Sequence, residues 1–436
     1  MKKQLSTLFI TFLSWLMPPL LHAKPLEPSL WQTKNGAQVI FYQTLEVPML
    51  DLSIAFAAGS AHDGKAFGLS ALTTQLLNQG SRGVNANLMA EQLAATGAQF
   101  EAQSNKDMVS FNLKTLTAPE NLSKATELFS TIVSGPDFPI ESFDREKKQQ
   151  LMAIAQAHQS PEEMANQTFF KILYQQHPYA HPSIGLHETV SALTIEQVRG
   201  FYQQFFNANN AIIVLVGAID EPRARQLAES FTKNLPKGYA AKAIPPAESL
   251  KTEINVEVPF PSSQTILRLG QMGIEPHNPH YFPLQVGNYI LGGSSMLSRL
   301  TYELREKRGL TYGISSQLLP MPGKGLFLIS FSTRHRQAKT AKDLTRDILA
   351  SFIKNGPNEA ELVAAKQYLT GNFPLSMGSN RSIANLLLKI AFYHLPKDYL
   401  QTYIDHINAV SAEEIKKAFQ ELITPNKLLE VSVGKP

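Results

Sequence analysis

Residues 190–217 read V-S-A-L-T-I-E-Q-V-R-G-F-Y-Q-Q-F-F-N-A-N-N-A-I-I-V-L-V-G, which predicts a capped amphipathic helix, a turn and a buried strand. Residues 409–434, A-V-S-A-E-E-I-K-K-A-F-Q-E-L-I-T-P-N-K-L-L-E-V-S-V-G, predict the same elements in the same order, and the terminal glycines Gly217 and Gly434 stand 217 residues apart. Upstream, residues 109–115 (V-S-F-N-L-K-T) and 328–333 (L-I-S-F-S-T) alternate as strands do. Each precedes a long helix ending at Ser134-Gly135-Pro136 or Asn355-Gly356-Pro357, at about the same offset. An offset held across strand, helix and turn signals predicts a duplicated α+β domain, each copy an antiparallel-rich sheet with helices packed on one face.

The 436 residues exceed what one ordinary core holds, which agrees with two copies. Residues 236–251 are rich in Pro, Ala and Lys without apolar periodicity and read as a linker. The expected domains are therefore residues 24–235 and 252–436. The first 23 residues place Lys2 and Lys3 ahead of an apolar run and a small residue, Ala23, in the order of a cleaved secretory signal peptide. The alternative is a membrane anchor, but Pro18 and Pro19 interrupt a run already short for a bilayer. Without Lys2 and Lys3 the chain carries 38 basic against 36 acidic residues, a balance that leaves no footprint for nucleic acid. No cysteine is present, so disulfides and thiolate metal sites are excluded, as suits an exported bacterial protein.

Residues 57–80, A-A-G-S-A-H-D-G-K-A-F-G-L-S-A-L-T-T-Q-L-L-N-Q-G, resemble the N-terminal signature of the pitrilysin/insulinase zinc peptidases, the inverzincins. In that family H-x-x-E-H puts two zinc ligands and a general base on one helical face. With the Gly-Leu entry at Gly68-Leu69, the resemblance places the first His at Ala71, the Glu at Thr74 and the second His at Gln75. The third ligand, a glutamate on a later helix, falls at Ala153, and residues 147–161 hold no carboxylate at all. Alanine has no lone pair, threonine is a poor base, and glutamine offers an amide oxygen where such sites want imidazole or carboxylate. No metal is expected on this chain.

Residues 288–313, N-Y-I-L-G-G-S-S-M-L-S-R-L-T-Y-E-L-R-E-K-R-G-L-T-Y-G, resemble the family's C-terminal segment, which supplies an arginine and a tyrosine facing the zinc across the cleft. Here these are Arg305 and Tyr312. A guanidinium and a phenol can both donate to a developing oxyanion. The alternative is a solvated helix end at residues 305–308 with Tyr312 on the core face of a strand. Gly292-Gly293 reads as a tight turn; no strand, lysine and Ser/Thr follow in phosphate-loop order. In H-P-Y-A-H-P (residues 177–182) the prolines impose a loop, with hydrogen-bonded histidines favoured over metal ligands, and His62 with His158 would make at best an adventitious pair.

The resemblance implies a clamshell of two peptidase-like domains and a non-catalytic, zinc-free subunit like those of bacterial heterodimeric members. It would be periplasmic, paired with an H-x-x-E-H bearing paralogue that holds the zinc, and closed around an extended peptide or unfolded protein. It would carry no stable membrane span after signal cleavage. The alternative is a peptide-binding or scaffold protein of the same fold without a role in catalysis.

Overall fold

The computed structural model describes residues 27–294 and 296–435; the expected signal peptide lies outside the described residues. The first half contributes β1 (Ser29–Gln32), β2 (Gln38–Gln43), β3 (Met49–Phe56), a short hairpin of β4 (Gly80–Ser81) and β5 (Val84–Asn85), then β6 (Gln99–Ser104), β7 (Val109–Leu116) and β8 (Ala211–Gly217). The second contributes β9 (Ile254–Pro259), β10 (Gln264–Met272), β11 (Ile314–Leu319), β12 (Leu326–Arg334) and β13 (Leu429–Gly434).

Two main sheets result, ordered β1-β2-β8-β3-β7-β6 and β11-β12-β10-β13-β9. Setting β1 aside, the strings β2-β8-β3-β7-β6 and β9-β13-β10-β12-β11 are one topology used twice. Even the single parallel pairing recurs, β2 with β8 and β9 with β13, every other pairing in both sheets being antiparallel. The α+β class and the duplication are thus in the strand order itself.

Each sheet packs its own helices on one face. In the first half, Val109, Phe111 and Leu113 of β7 and Ile213 and Leu215 of β8 meet helices that include Leu69–Leu76 and Ile195–Phe205. The opposite faces are covered by exchange. Helix Asn380–Phe392, from the second half of the sequence, lays Ile383, Leu387 and Leu388 on Ile40, Val214 and Val216 of the first sheet. Helix Pro161–Tyr174, from the first half, lays Ala165, Phe169 and Leu173 on Ile266, Val431 and Val433 of the second. This explains the unbroken apolar run A-I-I-V-L-V in β8: a strand buried on both faces has no solvent side on which to place polar residues.

Polar pins fix both crossings. Arg381, near the start of the first crossing helix, pairs with buried Asp51 of β3 at 3.3 Å. Buried Arg268 of β10 donates through Nε to Asn166 of the other crossing helix at 2.9 Å. Residues 236–251 carry no helix or strand, yet they are docked: the Ala247 N–H donates to the Gly323 carbonyl at 2.9 Å, and Leu250 is buried.

Candidate functional site

Helix Leu69–Leu76 begins where Gly68 adopts φ +95°, a conformation open to glycine without strain. A Cβ here would lie 2.7 Å from the Ile184 carbonyl oxygen, so the site needs glycine on grounds of space as well. Asp63 secures the entry by accepting from the N–H groups of Gly68 at 2.7 Å and Ser70 at 2.8 Å. Burial pushes its carboxyl up to about 7, against the pull of those two N–H groups and of Lys106.

The motif positions follow from that helix. Thr74 is buried and its hydroxyl donates to the Ser70 carbonyl at 2.7 Å, closing the local backbone rather than serving as a base. Ala71 is half-buried, while Gln75 is exposed to solvent. Ala153 lies on the helix Ile140–Ala157, which packs against the motif helix. Between these helices Gln150, buried, donates to the carbonyls of Gly68 at 3.0 Å and Ile184 at 2.7 Å. Amide hydrogen bonds thus tie the two helices, and the side chains at the four expected positions offer no donor set that fits zinc. Among the described residues no group of three or more His, Cys, Asp or Glu could hold a metal ion.

The histidines are engaged otherwise. His177 accepts the Tyr179 N–H at its Nδ1 and bonds the Pro245 carbonyl through Nε2 at 2.7 Å. His181 stacks on Phe67 at 4.1 Å, and burial drives its imidazole down to about 4. His62 packs on Phe205 at 5.0 Å, and His158 is exposed at the end of its helix.

In the second half, Arg305 sits in a π-helical turn, Thr301–Glu306, which closes at Gly309. That glycine, at φ +58°, returns its N–H to the Arg305 carbonyl while Leu310 returns its own to Leu304. The reversal carries the chain into β11, with Tyr312 just ahead of it. Tyr312 is 88% exposed, so the core-face alternative for this residue fails. The Arg305 guanidinium carbon lies 5.4 Å from the Tyr312 ring centroid, a cation–π contact, and Arg305 Nε is 3.3 Å from Glu306. The structure therefore brings together the two residues singled out in this segment, Tyr312 exposed and Arg305 half-buried. Met296, Leu297 and Tyr302 of the same segment are exposed too.

The first sheet ends on β6, whose outer edge is unpaired among the described residues and whose residues alternate exposed and half-buried. Such an edge can take another strand.

Comparison with known proteins agrees with this geometry. The family described as "Insulinase (Peptidase family M16)" matches residues 41–185, and "Peptidase M16 inactive domain" matches residues 192–369. A crystal structure described as a peptidase M16 inactive domain, from Pseudomonas fluorescens, superposes with a TM-score of 0.91 at 36% identity, covering 94% of this chain and 99% of that one. The chain belongs to the M16, or insulinase, family.

Further proteins are similar at lower identity. A protease structure from Helicobacter pylori matches with a TM-score of 0.87 at 19% identity, over 94% of this chain and all of that one. By sequence, a protein of Helicobacter pylori named "non-peptidase homolog YmxG" is 23% identical over 86% of this chain and 87% of its own length. A Rickettsia felis relative named as a zinc protease is 27% identical over 78% of this chain and 81% of its own. This M16 chain shares the family scaffold over nearly its whole length.

Sequence reasoning missed three elements of this region: the Asp63 cap, the Gln150 tie and the burial of His181. Only Asp63 left a signal, an acidic residue shortly before a Gly-Leu-Ser helix start.

Proposed function

We propose that this chain is the zinc-free subunit of a heterodimeric M16 peptidase, exported to the periplasm and paired with a paralogue bearing H-x-x-E-H. The partner supplies zinc and base, and this chain supplies Arg305 and Tyr312 as donors to the carbonyl under attack. The observation that carries this reading is the contact of half-buried Arg305 with exposed Tyr312, on a chain without metal-ligating side chains at the expected motif positions. A pair of donors held together outside the core has a use when something docks over it, and donors aimed at a developing oxyanion contribute roughly 10²–10³ in rate each.

Residues 24–235 and 252–436 serve in this reading as the two peptidase-like domains, with the substrate extended along the free edge of β6. Main-chain hydrogen bonds at that edge tolerate many sequences, as a subunit handling unfolded protein requires. No helix among the described residues is long and apolar enough to cross a membrane.

The test is reconstitution with a neighbouring, signal-bearing H-x-x-E-H paralogue. The mixture is expected to cleave peptides and this chain alone to cleave none. If Arg305→Ala and Tyr312→Phe leave the mixture fully active, the chain is a scaffold and the donor role is wrong.

A further inference from the structure

Strands β11 and β12 run in step from Leu319 opposite Leu326 to Ile314 opposite Phe331, and there the ladder stops. Beyond it, two threonine hydroxyls carry the pairing. Thr311 Oγ1 donates to the carbonyl of Ser332, on β12, at 2.7 Å. Thr333, the next residue of β12, donates its own hydroxyl to the Leu310 carbonyl at 2.5 Å. Both threonines are buried.

The count across these contacts is unequal. From Phe331 to Ser332 one side advances a single residue, while the facing chain goes back three, from Ile314 to Thr311. Tyr312 and Gly313 are therefore surplus and leave the line of the strand as a bulge, a device that re-aims side chains. The Thr311 hydroxyl also closes the neck of this bulge, accepting the Gly313 N–H at 3.1 Å with the Gly313 carbonyl 2.8 Å away. Leu310 anchors the near end: its side chain is buried and its N–H donates to the Leu304 carbonyl at 2.8 Å.

Tyr312 thus stands exposed between two residues that are both held. Burying a tyrosine ring favours folding, so a framework that holds one outward works against that gain. We infer that Thr311 and Thr333 are positioning residues, whose clasp fixes where the Tyr312 hydroxyl stands. A hydroxyl on a loose loop samples many positions, whereas one on a closed bulge is set before anything docks, and a misplacement of about 1 Å can cost roughly 10² in rate. This assignment rests on the donor role of Tyr312 proposed above and adds the two groups through which that role is set.

Two measurements separate the clasp from the donor role. On the isolated full-length chain, fluorotyrosine placed at position 312 is followed by fluorine NMR. Thr311→Val and Thr333→Val, which keep the side-chain shape and remove the hydroxyl, should each shift or broaden the resonance, and Thr311→Ser should leave it in place. In the pair reconstituted with the H-x-x-E-H paralogue, Thr311→Val is expected to lower kcat roughly tenfold with KM little changed, and Thr311→Ser to retain most of the activity. Added to Tyr312→Phe, Thr311→Val should cost nothing further, because a residue that acts through a hydroxyl has no effect once that hydroxyl is gone. A fluorine resonance unaltered by both valine variants overturns the assignment, as does a Thr311→Val loss that adds in full to that of Tyr312→Phe. Full activity of the Tyr312→Phe pair would instead remove the donor role, and the fluorine comparison would still decide whether the clasp places the ring.

Discussion

The Arg305 guanidinium lies over the ring of Tyr312, 5.4 Å from its centroid, although the chain reverses at Gly309 between them. The stacking limits where the cation can point, and the high exposure of Tyr312 means that little folding energy depends on it.

Arg305→Ala and Tyr312→Phe should therefore separate function from stability. Each is expected to lower kcat of the reconstituted pair by roughly 10²-fold or more. The melting temperature of the isolated chain should barely move, and steady-state kinetics with calorimetry on the same preparations checks both.

The isolated chain should carry no stoichiometric zinc by elemental analysis, and a chelator should change neither its melting temperature nor its inertness towards peptides. The reason is local: the Thr74 hydroxyl is committed to the Ser70 carbonyl, and Ala71 and Ala153 have no donor atom. Chelator-sensitive hydrolysis by the pure chain would refute the whole reading.

Removing Arg381 would leave the Asp51 carboxylate buried beside the crossing helix. Arg381→Ala is expected to destabilise the chain by about 3 kcal/mol, measured by urea denaturation. Burial already pushes the Asp51 carboxyl upward despite Arg381 and Lys114, so Asp51→Asn in the same background should recover part of the loss.

Two buried groups give stability opposite slopes with pH. His181 titrates near 4 when folded against 6.5 in the unfolded chain, so its contribution is intact above 6.5 and is lost as pH falls towards 4, on the order of 3 kcal/mol. Asp63, raised from 3.8 to about 7, holds a proton when folded that the unfolded chain releases, so its contribution is present at low pH and fades as pH rises towards 7. Denaturation between pH 4 and 7 should show a steeper rise with pH in Asp63→Asn and a flatter one in His181→Gln. No change of slope in either variant would disprove the assignment.

Much of the fold was legible because its signals are local and doubled. The capping residues Thr194 and Ser411 and the glycines ending β8 and β13 state the same unit twice, and the structure shows capping boxes at both. The helix at Leu69–Leu76 was equally readable, since its Gly-Leu entry marks the start. The helix exchange was not, because nothing in the periodicity of residues 161–174 or 380–392 tells which sheet an apolar stripe will meet. The apolar run of β8 carried a hint, as it requires cover on both faces. Nor could spacing show that Gln150 ties the two motif helices, a contact that joins residues 82 positions apart.

The reciprocal crossing of helices Pro161–Tyr174 and Asn380–Phe392 makes neither half self-sufficient. Cut at the connecting segment and produced as separate fragments, each piece would display a bare apolar sheet and a stranded amphipathic arm, and would aggregate when alone. Mixed, the fragments should recombine into the original particle, each arm finding its distant groove. The repeated fold is thus expected to be divisible only as an obligate two-piece assembly.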